Sequence, residues 1–70
     1  LTDAEKLALT MGFLIEFFHE EPEKVGHWLD TENLMLGGCK PLFMIKAGRI
    51  SKLYKFIETA KQENENSENV

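Results

Sequence analysis

The sequence predicts a small all-α domain, a bundle of about four helices with a Gly-Gly corner and no sheet. Three observations predict it. Apolar residues recur with helical period near both ends of the chain, Pro22 and Pro41 each stand where a helix can open, and Gly37-Gly38 and Gly48 stand where one stops. No stretch of strand length alternates with period two, and the apolar run at 34–36 is too short to count.

Thr2 followed three residues later by Glu5 is a capping box, with Asp3 favourable at a helix N-terminus. The first helix starts there. Ala4, Leu7, Met11, Leu14, Ile15 and Phe18 gather on one side of it as a core stripe, and Leu9, Phe13 and Phe17 form a second stripe, with Glu5, Gly12 and Glu16 on one flank between them and Lys6 and Thr10 on the other. A helix with two apolar stripes is either packed on several sides or shared with another molecule. The helix is expected to fray at His19 and Glu20, where the helix dipole accounts for a histidine. Pro22 opens a second helix reaching Trp28 or Leu29, with Val25, Trp28 and Leu29 inside.

The stretch 28–42 is the corner on which the chain turns. Residues 30–33 are a turn by composition, Leu34, Met35 and Leu36 are expected to return to the core, and Gly37-Gly38 permits positive φ or close backbone approach. Pro41 then starts a short helix through Ala47, closed by Gly48. The last helix is expected over about 49–62, burying Ile50, Leu53, Tyr54, Ile57 and Ala60, with Arg49, Lys52 and Phe56 on another side. This divides the chain into a helical domain at 1–61 and an acidic tail at 62–70, rich in Asn, Glu and Ser, expected to be disordered in the free protein.

Seventy residues allow one small domain, and a core of that size supplies only about 3–5 kcal/mol net, so association would add useful stability. The net charge of −4 conceals an asymmetry. Residues 1–35 carry eight acids and two bases, whereas residues 36–70 carry four acids and six bases; within 40–55 there are five bases and no acid. The single cysteine, Cys39, excludes an intrachain disulfide and fits a reducing cytoplasm. No apolar run reaches the roughly 18 residues of a membrane span, and no signal-peptide pattern is visible. A chain opening on Leu1 rather than Met reads as a fragment or a processed product.

Catalytic and metal chemistry find little footing. His19, His27 and Cys39 lack a pair two to four residues apart, so no metal site is expected. Cys39 beside Lys40 has no base placed next to it by the sequence, and Gly37-Gly38-Cys39-Lys40 lacks the glycine spacing and the Ser or Thr of a phosphate loop. No cofactor is expected. Met11, Met35 and Met44 read as core.

Trp28-Leu29, a polar turn ending in Asn33, Leu36-Gly37-Gly38, then Pro41-Leu42 and an apolar run, in that order, resembles the toxin-binding domain of Xre/MbcA/ParS-type antitoxins, over about 9–60. Glu32 stands where that family often has Pro, and the loop at 46–49 is short. The resemblance implies a non-enzymatic module that dimerises and neutralises a RES-type toxin, an NAD-consuming enzyme. It also implies that DNA would be bound only through a helix-turn-helix domain N-terminal to this segment, and that the C-terminal end lies near the toxin's active site, where the acids of 62–70 could meet its phosphate-binding groups. The matching residues are mainly scaffold, so the candidate partner-binding residues are Leu9, Phe13, Phe17, Arg49, Lys52 and Phe56. The competing reading is a small nucleic-acid-binding domain using Arg49, Lys52 and Lys55, against which stands the acidic pI of about 5.1.

Overall fold

The computed structural model describes residues 1–68, and side-chain surroundings for residues 1–63. Four helices, α1 (Asp3–Phe17), α2 (Pro22–Leu29), α3 (Pro41–Lys46) and α4 (Ile50–Glu68), and a single 3₁₀ turn at Leu34–Leu36 form an all-α bundle; among the described residues there is no strand.

α1 begins at the capping box. Thr2 N–H donates to Glu5 Oε1 at 2.9 Å and Glu5 N–H to Thr2 Oγ1 at 3.2 Å, which satisfies two backbone donors that the helix itself cannot. The Thr2 backbone N–H, and then its hydroxyl, hold the Glu5 carboxyl below its ordinary range. Because the folded value is the lower one, this capping contribution is present above the ordinary carboxylate range and is lost as acid protonates Glu5.

α1 and α4 pack most extensively, running in the same direction with Lys6 Nζ donating to Ser51 Oγ at 2.8 Å near their N-terminal ends. α2 packs on α1, α3 on α4, and α2 on α3, so the two short helices close the side left open by the long pair. Leu14, Val25, Met44, Ile50, Leu53 and Ile57 are the buried core, one or more from every helix.

The inner face of α1 is rotated from the one the apolar residues alone describe. Thr10 is fully buried and Ile15 and Ala4 are exposed. Each residue turns an α-helix by about 100°, so Thr10 lies about 40° from Leu14 around the axis, whereas Ile15 lies about 100° away on the other side. Geometry overrides polarity here, and the Thr10 hydroxyl has no hydrogen-bond partner among the described residues.

Stops follow the glycines. Gly48 (φ 75°) ends α3, with Arg49 N–H donating to Met44 O at 2.8 Å. The α1–α2 turn uses no glycine: His19 (φ 56°) and Glu20 (φ 63°) both take the left-handed region, and Glu20 N–H donates to Ile15 O at 2.8 Å. At the corner, Gly37 and Gly38 have φ 73° and 81°, and an ideal Cβ at Gly38 meets no atom within 4 Å, so backbone conformation and not crowding is what demands glycine. The Asn33 side chain accepts from Met35 N–H at 2.9 Å, Gly38 N–H donates to Asn33 O at 2.9 Å, and Asn33 N–H donates to Cys39 O at 3.1 Å, closing the base of the loop in an isolated bridge.

Two expectations are corrected. Leu34 and Met35 do not return to the core: a 3₁₀ turn of three residues spaces its side chains around the axis, and only Leu36 points inward, so the corner lies at the surface with Pro41 as its buried anchor. The last helix does not end near Gln62 but continues to Glu68, because Gln and Glu are acceptable helix formers and no Gly or Pro interrupts them. Part of the tail expected at 62–70 is thus helical in its backbone, and Asn69 and Val70 lie outside the described residues.

Two substitutions test this account by chemical denaturation. Gly38→Ala is expected to destabilise by about 1–2 kcal/mol through positive φ alone; a midpoint equal to or above the parent's contradicts it. Thr10→Val should stabilise by about 1 kcal/mol, because it removes a buried hydroxyl that bonds nothing while nearly keeping the shape.

Candidate functional site: an apolar face on α1 and α4

The second stripe of α1 drifts around the helix away from the core, and its exposure follows that drift. Phe13 is half-buried against the core, while Leu9 and Phe17 keep 52% and 51% of their surface in solvent. Phe17 is held in place by its neighbours: its ring lies 5.8 Å from that of Phe13 in a stacked pair, and 5.0 Å from that of Phe18, edge to face.

Parallel packing of α1 on α4 sets Phe56 and Ala60 beside this stripe. Phe13, Phe17 and Phe18 of α1, Trp28 of α2, and Phe56 and Ala60 of α4 line one apolar groove. Leu9 lies in an adjoining concavity with Phe13, Gly12, Glu16, Glu58 and Lys61. Four of the six candidate residues, Leu9, Phe13, Phe17 and Phe56, therefore share one continuous surface. Lys52 lies across Phe56, in a separate concavity with Met35, Leu36, Lys55 and Thr59, and Arg49 is exposed where the chain enters α4, outside both.

The corner residues form the turn and the start of α3. Asn33 caps the 3₁₀ turn, Gly37 and Gly38 supply its positive φ, Pro41 is buried at the first position of α3, and Leu29, Leu36 and Leu42 are half-buried. Trp28 has a double part, since it packs on the core and also walls the groove.

Leu34, Met35 and Phe43 are exposed apolar residues that the sequence reading did not assign to a surface. The signal was present: a three-residue run between Asn33 and Gly37 is too short to bury every member. His19 and His27 are both exposed, and among the described residues no three of His, Cys, Asp and Glu come together in a way that could hold a metal ion. Comparison with known protein families, curated proteins and solved structures gives no match.

If Phe17 belongs to a surface and Leu53 to the core, their truncations separate. Phe17→Ser should cost under about 1 kcal/mol, against about 2–5 kcal/mol for Leu53→Ala, whose side chain is fully buried. Thermal melts with similar losses for both would return Phe17 to the core.

Proposed function

We propose that the chain is a non-enzymatic, antitoxin-type binding module of the bacterial cytoplasm, which pairs with a second copy of itself and neutralises a RES-type toxin that consumes NAD. The observation that carries the pairing is the row Leu9, Phe13, Phe17: large apolar side chains, partly in water, on a helix whose opposite face is already buried. Such residues are the anchors interfaces use. Burial contributes about 25 cal/mol per Å² of apolar area before the costs of association, and a domain this small gains from it. The toxin-directed half of the proposal draws on the ordered motif from Trp28 to Leu42, whose Met35 and Leu36 line a concavity with Lys52 and Phe56 of α4, and on Arg49, exposed just before α4.

The placement of Lys52 and Lys55 in one concavity favours a second reading, a nucleic-acid contact in which Arg49 joins them. The whole chain is anionic, and Tyr54, the aromatic residue between Lys52 and Lys55, is half-buried in α4. Titration with duplex DNA at two salt concentrations separates the readings, since phosphate contacts weaken steeply as salt rises.

Sedimentation should give a dimer for the parent and a folded monomer for Phe13→Glu, because a carboxylate cannot be buried against its own copy without a partner. Adding the parent to a RES-type toxin should slow the loss of NAD. A parent monomeric at high concentration overturns the pairing; NAD loss unchanged by excess parent overturns the antitoxin reading.

A further inference from the structure

Among the described residues, the most exposed large apolar side chains lie away from the α1 face. Leu34 and Met35 keep 92% and 79% of their surface in solvent, on consecutive positions of the 3₁₀ turn. Exposed apolar residues ordinarily occur singly; an adjacent pair held this far out on a built turn is unusual.

The turn is rigidly made. The Asn33 side chain caps it at Met35 N–H, Gly37 N–H donates to Leu34 O at 3.1 Å, Gly38 N–H to Asn33 O at 2.9 Å, and the Asn33–Cys39 bridge ties its base. Little conformational freedom remains to be lost when the tip is covered, which is the condition under which a small apolar contact yields affinity. Met35, adaptable in shape, also lines the concavity that Lys52 and Lys55 share.

Charge says what covers it. The segment 40–55 carries five bases and no acid, and the amine of Lys40, at the foot of the loop, is 3.4 Å from Asp30. A polyanion alone would leave Leu34 and Met35 in water, and an apolar surface alone would strip water from two lysines without recompense.

We infer that the Leu34–Met35 tip with Lys52 and Lys55 is a second docking surface, distinct from the α1 face, whose occupant is a protein presenting an apolar pocket rimmed by carboxylates. Resting on the antitoxin reading, that protein is the toxin: the α1 face serves the second copy, and the tip serves the target. Each copy of a pair then presents one tip.

The test uses the parent chain, the double variants Leu34→Ser/Met35→Ser and Lys52→Glu/Lys55→Glu, and a purified RES-type toxin, with binding followed by calorimetry at low and high salt. All four residues are exposed and outside the buried core, so thermal melts and the sedimenting mass should match the parent's. The apolar double variant is expected to weaken toxin binding by about 10-fold or more at either salt. The charge double variant should weaken it more at low salt than at high salt. Parental affinity in both variants overturns the inference and leaves the antitoxin reading standing. A monomeric Leu34→Ser/Met35→Ser overturns it by giving the tip to the second copy, and DNA binding lost in the lysine variant alone overturns it by giving the patch to nucleic acid. A parent that binds no toxin overturns the antitoxin reading, and the inference with it.

Discussion

The seam between α1 and α4 carries the fold, because it is where Leu14 joins Ile50, Leu53 and Ile57 in the one cluster that a chain of this length can fully bury. Val25 and Met44 are drawn into the same cluster from α2 and α3, so the short helices depend on the long pair and neither is long enough to stand alone. The parallel setting of α1 and α4 has a second consequence. It places Phe13 and Phe17 beside Phe56 and Ala60, so the arrangement that closes the core on one side opens an apolar groove on the other.

Backbone conformation is managed at three turns in two different ways. Gly37, Gly38 and Gly48 take positive φ where a Cβ would be strained, and each is visible in the sequence as a glycine after an apolar run. His19 and Glu20 take it without glycine, on the strength of the Glu20 to Ile15 bond and the packing of Phe17 on Phe18 just before. Side chains there cost about 1–2 kcal/mol per residue relative to a right-handed conformation, so the α1–α2 turn is the place where packing overrides local preference. The fraying expected at these residues is replaced by a defined left-handed turn.

Features written in local chemistry were legible from the residues: the Thr2–Glu5 box, Pro22 and Pro41 at helix starts, Gly48 at a stop, and Ile50, Leu53 and Ile57 of the buried stripe of α4, whereas Tyr54 and Ala60, read with them, are only half-buried. What was not legible is which way a short or mixed segment turns. Thr10 is polar, yet its angular position beside Leu14 leaves it no route to water, and Ile15 is apolar, yet stands too far round the helix to be covered. Met35 reads as core by composition and lies in solvent because the 3₁₀ turn has room to bury only one of its three side chains. The candidate surface was legible to the same extent: Leu9, Phe13 and Phe17 follow from helical period, but their continuity with Phe56 required knowing that α4 runs parallel to α1.

That division also separates the two faces by physical character. The α1 face is broad, aromatic and nearly free of charge at its centre, with Glu16, Glu58 and Lys61 at its edge, so it can match a copy of itself without placing like charges together at the middle. The concavity beside the corner sets Met35 and Leu36 beside Lys52 and Lys55 with no acid in its lining, so two copies of it brought together would place like charges against each other. In the proposed arrangement, a surface that disfavours its own copy while offering apolar contacts suits a different molecule, and the two lysines of α4 set it apart from the α1 face, whose edge carries both signs.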